Sequence, residues 1–126
     1  ILLASAEGDD HTLGLALAEL ALREWGCPTV WAGRGTPAAE LLRVLESGQA
    51  DVLALSASSA STHETLAREL ELLAPPLRVA CIPLLAGGAG PWPDPLSWGT
   101  RIHGFGSLRS FLLGEEARRP QRPTAE

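Results

Sequence analysis

A single loop near the start of the chain combines a histidine with residues that could orient it toward a metal ion. The loop follows the apolar run of residues 1–6 and contains Asp9 and His11. A loop imidazole can reach a metal through one ring nitrogen, while the other nitrogen needs an orienting partner. Asp9, two residues earlier, is a carboxylate that could serve as this partner. The same spacing also suits a solvated histidine beside two turn-forming aspartates, so the spacing alone leaves both interpretations open.

The elements that would position this loop alternate between strands and helices. Apolar runs predict five strands, at 1–6, 28–33, 51–56, 79–85 and 102–105. Helical periodicity predicts four helices, at 12–25, from 37 to about 48, from about 62 to 74, and at 107–113. The third strand is apolar throughout, which is typical of a strand covered on both faces. This alternation predicts an α/β fold with a doubly wound, five-stranded parallel sheet of the flavodoxin-like class.

Local end signals set the predicted boundaries of the helices. Gly26 is expected to end the first helix as a C′ glycine. The other signals are an N-cap and N1 proline at Thr36 and Pro37, a capping box at Ser61 and Glu64, and a terminating pair at Pro75 and Pro76.

Two stretches fit this pattern poorly. Pro83 falls inside the fourth predicted strand, where proline removes a donor from the ladder. Residues 89–100 hold three prolines where a fourth crossover helix is expected, so we predict that this helix is absent or reduced to a turn. Trp92 and Trp98 lie in this segment. They either cover a bound ligand or replace the packing of the missing helix, and we expect packing.

Three polar or glycine-rich segments follow the predicted strands one, three and four, at residues 8–14, 56–62 and 87–90. Ligands of open α/β sheets bind beyond the carboxyl ends of the strands. In a flavodoxin-like strand order these three strands are neighbours. The three segments are therefore expected to converge on one mouth.

The first of these segments resembles a known motif. Residues Asp9 to Gly14 match the DxHxxG pattern of cobalamin-binding domains, found in methionine synthase, cobalamin-dependent mutases, corrinoid proteins and MerR-type light sensors. In that family the nucleotide tail leaves the cobalt and enters a deep pocket, and the motif histidine replaces it. The resemblance implies that His11 is the lower ligand to cobalt and that Asp9 holds its second nitrogen. Gly14 would let the first helix start close beside the tail.

Two further motifs of the family have counterparts in the chain. The SxL motif reads Ser56-Ala57-Ser58, so Ser56 would line the tail pocket, while Ser58 replaces the leucine that contacts the benzimidazole. Thr62 stands where some members place a hydroxyl that hydrogen-bonds the motif aspartate. The diglycine motif matches Gly87 and Gly88, where a side chain would collide with the inserted tail.

The resemblance implies a binding domain for adenosylcobalamin or methylcobalamin, and it leaves two roles open. The favoured role is the sensory domain of a transcriptional regulator, light-responsive through adenosylcobalamin. The alternative is the cofactor-carrying domain of a corrinoid methyltransferase or a cobalamin-dependent mutase. The chain shows no nucleophile or acid–base pair of a substrate site, which favours a ligand-binding domain over an enzyme. The sensor role predicts a helical cap and a DNA-binding module before Ile1, and a homo-oligomer is compatible with either role.

Composition narrows the remaining classes. The 126 residues are the length of one domain, which we place at 1–113, followed by a polar, disordered tail at 114–126. The net charge of -5 argues against a nucleic-acid footprint, and no apolar run reaches membrane-spanning length. Cys27 and Cys81 are expected to be small buried hydrophobes of a reduced, cytoplasmic protein. The absence of Met suggests a piece of a longer or processed chain.

Rival interpretations lack the residues that they require. A phosphorylatable receiver domain needs an aspartate where Ser56 stands and a lysine after the fifth strand, and the chain contains no lysine. A flavodoxin needs a phosphate-binding loop after the first strand, where residues 8–14 are too acidic. His63 and His103 have no spaced partner and are expected to be structural or solvated.

The first predicted helix carries more leucine than one buried face requires. Its leucines point around more than one face and comprise Leu13, Leu15, Leu17, Leu20 and Leu22. They either contact a neighbouring module or subunit or pack on the sheet alone, and the sequence leaves both open.

Overall fold

Five short strands, all parallel, form the centre of the structure. The computed structural model describes residues 1–118. The strands are β1 (Leu2–Ser5), β2 (Val30–Gly33), β3 (Leu53–Ser56), β4 (Leu84–Gly87) and β5 (Thr100–Arg101). The helices are α1 (Leu13–Glu24), α2 (Ala38–Glu46), α3 (His63–Ala80) and α4 (Phe105–Arg118). The strand order β2-β1-β3-β4-β5 is that of the flavodoxin-like class, which confirms the predicted fold.

Side chains of the central strands alternate between two hydrophobic layers. Leu2 of β1 lies opposite Leu53 of β3, and both pack toward the layer formed by α2 and α3. Leu3, the next residue, faces the other layer, where it packs with Leu15 of α1 and Leu108 of α4. Strands covered on both faces are apolar at every position, which explains the unbroken apolar runs in the sequence.

The glycine signal at the end of α1 is confirmed. Gly26 has φ +76° and its N–H donates to the carbonyl of Arg23 at 3.0 Å, while the N–H of Cys27 donates to Leu22 at 2.9 Å. This pair of hydrogen bonds is the Schellman arrangement, in which the left-handed residue satisfies two otherwise unpaired helix carbonyls.

Two predicted N-caps are displaced by one residue. Pro37 occupies the N-cap of α2, and the Thr36 hydroxyl instead donates to the carbonyl of Ala32 at 3.1 Å. The capping box of α3 joins Thr62 and Thr65, not Ser61 and Glu64. The hydroxyl of Thr65 replaces a glutamate side chain in that box, so the sequence pattern selected the wrong pair.

The prediction that Pro75 and Pro76 end the third helix is wrong. Helix α3 runs through both prolines to Ala80 and ends at Cys81, which adopts a left-handed conformation with φ +56°. An internal proline costs about 3 kcal/mol or more. Here Leu73 and Leu77, both fully buried, keep the helix packed on the core across the prolines and offset this cost.

The longer helix shifts the start of the fourth strand. The predicted strand began at Val79, which is instead a highly exposed residue of α3. Strand β4 begins at Leu84, so Pro83 precedes the strand and breaks no ladder. Its carbonyl accepts a hydrogen bond from the N–H of Leu53 at 3.0 Å, which starts the pairing of β3 with β4.

The last two elements also differ from their predicted bounds. Strand β5 is Thr100–Arg101 and not residues 102–105, and α4 starts at Phe105 and extends beyond Leu113. The helix therefore enters the segment assigned to a polar tail, and residues 119–126 of that tail lie outside the described residues.

The segment between β4 and β5 contains no helix in residues 88–99, as predicted. Trp92 is buried and its ring N–H donates to the carbonyl of Gly87 at 2.9 Å. Trp98 packs against the same core and donates to the carbonyl of Ile82 at 2.9 Å. Both indoles thus replace the packing of the missing helix.

One cysteine and several leucines of α1 are exposed at the surface. Cys81 is exposed, contrary to the expectation of burial, because the extended α3 brings it to the helix end, and Cys27 is half-buried. Leu13, Leu17 and Leu20 of α1 are exposed, so these leucines do not pack on the sheet. No helix among residues 1–118 is long and apolar enough to cross a membrane.

One carboxyl group lies inside the apolar stripe of α3. Glu69 is buried, and its Oε2 accepts a hydrogen bond from the backbone N–H of Glu7 at 3.1 Å, while Oε1 has no partner among the described residues. Burial raises the pKa of Glu69 to about 7, with the charge of Glu7 adding to the rise and the Glu7 N–H opposing it. This contact ties α3 to the loop that carries Asp9 and His11.

We predict that Glu69 makes the folded state less stable as pH rises. The folded protein holds this proton more tightly than the unfolded chain, so the contribution of Glu69 to stability is greatest below pH 4.5 and falls until about pH 7. Compared with Glu69→Gln, the wild-type protein should lose up to about 3 kcal/mol over this range. Urea unfolding at a series of pH values measures the difference. Glu71→Gln, an exposed change on the same helix, is the control, and equal pH slopes for wild type and Glu69→Gln would contradict the assignment.

Candidate functional site

The loop after β1 turns sharply at the end of the strand and places Asp9 inside the protein. The N–H of Asp9 donates to the carbonyl of Ala6 at 2.9 Å, which closes the turn. The buried hydroxyl of Ser5 donates to the carbonyl of Asp9 at 2.8 Å and accepts from the N–H of Gly35 at 2.7 Å. The end of β1 therefore holds the backbone of Asp9 directly, and the loop after β2 is linked to it through the Ser5 hydroxyl.

The carboxylate of Asp9 collects hydrogen bonds from two loops. Oδ1 accepts from the backbone N–H of His11 at 3.0 Å and lies 3.1 Å from His11 Nδ1. Oδ2 accepts from the N–H of Ser58 at 2.7 Å, from the Ser58 hydroxyl at 2.9 Å and from the Ser61 hydroxyl at 2.7 Å. Burial alone would raise the pKa of Asp9. These hydrogen bonds, led by that of Ser61, outweigh burial and hold the pKa well below its ordinary value.

The imidazole of His11 is oriented at one nitrogen and open at the other. Its side chain is 68% exposed, whereas the Asp9 side chain that it contacts is fully buried. An ionised carboxylate only accepts hydrogen bonds, so it favours the tautomer of the neutral imidazole in which Nδ1 carries the proton and Nε2 keeps its lone pair. No hydrogen bond engages Nε2 among the described residues. The structure therefore presents one nitrogen donor to solvent in a defined orientation.

The loop after β3 donates hydroxyl groups to Asp9, but from a different residue than the resemblance implied. Ser61, and not Thr62, donates to Asp9, because Thr62 is the N-cap of α3. Ser58 stands at the leucine position of the motif and is half-buried. Its hydroxyl lies 3.1 Å from His11 Nδ1 as well as beside the carboxylate, so it belongs to the histidine cluster.

Beside this cluster a cleft of about 550 Å³ opens between α1 and α4, at the carboxyl ends of the strands. Gly14, Ser56, Gly87 and Gly88 all line it, so the structure brings together four of the predicted site residues. Its wall is otherwise mostly apolar, with contributions that include Leu3, Leu15, Ala18, Leu22, Leu85, Ile102, Phe105 and Leu108. A cavity of this size and character is typical of a small-molecule site.

The two glycines after β4 are needed for different reasons. A Cβ on Gly87 would make one ordinary contact, 3.9 Å from the carbonyl oxygen of Leu55, and would collide with no described atom. Gly88 has φ +83°, and a Cβ would lie 2.2 Å from the carbonyl oxygen of Ala57. The expected collision at Gly88 is therefore with the loop after β3, not only with a ligand. A Cβ on Gly90 would also collide with Ala57, and no local sequence pattern indicated this contact.

Two other residues of the cleft were not anticipated. Arg101 lies on β5, the strand that pairs with β4. Its guanidinium donates to the carbonyls of Ala86 and Ile102 at 2.8 and 2.7 Å, and to that of Gly88. His103, expected to be structural or solvated, is exposed and lines the same cleft. Only its position just after the fifth strand could have indicated this. His63 instead lies near the carbonyl of Pro91, with Nδ1 at 3.2 Å, and is also exposed.

The chemistry of the donor set limits what this site can hold. Residues 1–114 contain no group of three or more histidine, cysteine, aspartate or glutamate side chains that could bind a metal ion. A metal at His11 would receive one nitrogen from the protein, so it must bring its other ligands with it. The fold and site thus define an α/β domain in which a carboxylate-oriented histidine and an apolar cleft lie at the same edge of the sheet.

Several solved structures with the same fold are cobalamin-binding or corrinoid proteins, or complexes that contain them. The chain is similar to the methanol:cobalamin methyltransferase complex MtaBC of Methanosarcina barkeri, at 22% identity and a TM-score of 0.77 over 94% of this chain and 46% of that chain. It is also similar to the monomethylamine corrinoid protein of Methanosarcina barkeri, at 18% identity and a TM-score of 0.70, covering 90% of this chain and 56% of that one.

A third similar structure is a cobalamin-binding protein of Desulfitobacterium hafniense, at 17% identity and a TM-score of 0.59, with 70% of this chain and 43% of that chain covered. The chain spans less than two thirds of the length of each of these chains. Neither a protein-family model nor a curated protein matches the sequence. At these identities the comparisons establish the shared fold.

We predict that Gly88→Ala destabilises the protein by at least about 2 kcal/mol, because it combines an unfavourable φ with a collision against the Ala57 backbone. Gly87→Ala, at the neighbouring position, should change stability by less than about 1 kcal/mol, since its Cβ makes only an ordinary contact at 3.9 Å. Chemical unfolding of both variants measures the two effects. Equal losses of stability would show that the loop after β4 can move away from Ala57.

Proposed function

We propose that this chain is a cobalamin-binding domain in which Nε2 of His11 is the lower ligand to cobalt. The observation that carries the proposal is the hydrogen-bonded pair of the exposed His11 and the buried Asp9, next to a largely apolar cleft. Asp9 would keep Nδ1 protonated and Nε2 available. The corrin ring would bring the nitrogen ligands that the protein lacks.

The cleft fits the second part of the ligand. Once His11 takes the place of the benzimidazole, the nucleotide tail needs a separate pocket. Gly14 and Gly87 leave space in the wall of the cleft, since a Cβ at Gly14 would meet no atom within 4 Å. The aliphatic wall suits the aromatic base, and the hydroxyl of Ser56 gives it a polar partner. The three similar structures, two corrinoid or cobalamin-binding proteins and a cobalamin methyltransferase complex, support the same ligand.

Among the two roles considered from the sequence, we propose that of a cofactor carrier for a corrinoid methyltransferase. Two of the similar structures are a methyltransferase complex and a monomethylamine corrinoid protein, which supports the carrier role over the sensory one. When bound, cobalamin supplies the methyl-transfer chemistry at cobalt. The chain itself would bind the tail, hold the axial imidazole and set its protonation. A catalytic partner and a cap over the upper face would be separate modules.

The axial ligand can be identified by the isotope of its nitrogen. We predict that cob(II)alamin bound to nitrogen-15-labelled protein shows superhyperfine splitting from nitrogen-15 in its electron paramagnetic resonance spectrum, because His11 has replaced the unlabelled benzimidazole. His11→Ala should lose this splitting and bind aquacobalamin more than about 100-fold more weakly. This loss exceeds the one typical of a residue that only hydrogen-bonds a metal ligand.

His63→Ala is the matched control, because His63 is an exposed histidine outside the site, and it should behave like wild type. Asp9→Asn should keep the splitting but weaken binding about 10- to 100-fold, since the carboxylate that orients Nδ1 is lost. Splitting from nitrogen-14 in the labelled wild-type protein would mean that the benzimidazole stays on cobalt, and the proposal would fall.

Illumination separates the two roles. A carrier domain loaded with adenosylcobalamin should keep its oligomeric state after the cobalt–carbon bond is photolysed, because no assembly depends on the upper ligand. Size-exclusion chromatography with light scattering, in the dark and after green light, measures this. Light-driven dissociation of an oligomer would instead support the sensory role, while leaving cobalamin binding intact.

A further inference from the structure

The described lining of the cleft between α1 and α4 contains basic side chains but no acidic ones. Among the lining residues of the described part of the chain, Arg101 and His103 are the ones with ionisable side chains, and neither is acidic. A largely apolar wall strengthens the field of such a cation, because little water is present to screen it. The cleft is therefore suited to a ligand that is mostly apolar but carries a negative charge.

Arg101 carries its charge without a counter-ion among residues 1–114. No carboxylate of residues 1–114 forms an ion pair with it, and its three hydrogen bonds go to neutral backbone carbonyls. Partial burial lowers the pKa of Arg101, so the protein spends free energy to keep this charge at the cleft. Neutral carbonyls do not require a full charge, since an amide side chain can also donate to them.

The position of the guanidinium relates it to the glycine loop. One of its nitrogens donates to the carbonyl of Gly88, a residue that lines the cleft next to Gly87. A guanidinium has five N–H groups in a planar fork, and three are used by carbonyls. The others have no acceptor among residues 1–114 and can bind an oxyanion.

We propose that Arg101 is the anion-binding residue of the cleft and recognises the phosphodiester of the cobalamin nucleotide tail. This inference rests on the proposed function, since it assigns the one negative charge of the tail to the one strong cation of the cleft. Arg101 would then select for complete corrinoids over those that lack a nucleotide. His11 holds the cobalt in both kinds of corrinoid, whereas Arg101 contributes only when the tail is present.

The test compares aquacobalamin with cobinamide, the corrinoid without a nucleotide tail. Arg101→Gln should weaken aquacobalamin binding about 10- to 100-fold and change cobinamide binding by less than about 2-fold. Arg101→Lys, which keeps the charge but not the fork, should recover part of the loss. Arg109→Gln is the matched control, because Arg109 lies on α4 outside the cleft and should leave both affinities unchanged. Absorption titrations measure the affinities, and thermal melting checks that each variant is folded.

A second measurement needs no variant. Raising ionic strength should reduce the affinity of the wild-type chain for aquacobalamin more than its affinity for cobinamide. Equal effects of Arg101→Gln on both corrinoids, or a salt dependence that is the same for both, would make Arg101 a structural cap of β4 and overturn the inference. If neither corrinoid binds, the proposed function and this inference fall together. If both bind through His11 but Arg101 does not discriminate, only the inference falls.

Discussion

The charge of Asp9 has no access to water, and the geometry of the site follows from how that charge is stabilised. Five N–H and O–H groups within 3.1 Å replace its hydration, and they come from two separate loops. A carboxylate held this way orients the ring of His11 and also ties the loop after β1 to the loop after β3. A buried charge with a missing donor is costly, so the two loops have little freedom to separate.

The sheet order gives this interaction its place. Because β1 and β3 are neighbours, their following loops meet, and β4 brings the glycine loop against Ala57 from the other side. The layer of α2 and α3 is closed by Trp92 and Trp98 where a crossover helix is missing. The opposite layer stays open between α1 and α4 and forms the cleft. The histidine cluster and the cleft are thus built from the same loops. None of the predicted site residues belongs to both.

Much of the fold could be predicted because strands covered on both faces are apolar at every position, and only a parallel sheet with helices on both sides provides that environment. The errors around the end of the third helix share one cause. Pro75 and Pro76 are strong local signals for a helix end, but burial of Leu73 and Leu77 overrides them, and this burial depends on residues far away in the chain. The exposure of Cys81 and the late start of β4 follow from the same override.

The sequence by itself determined the fold class and the segments that meet at the mouth of the sheet, because periodicity and turn residues are local properties. The pairing of Asp9 with His11 was also within its reach, since the two are neighbours in one loop. Only the tertiary structure decided which hydroxyls reach Asp9, that Ser58 joins the histidine and that Arg101 enters the cleft. These contacts join residues about fifty positions apart or across neighbouring strands. They depend on side-chain direction at the ends of packed elements, which a shift of one residue reverses.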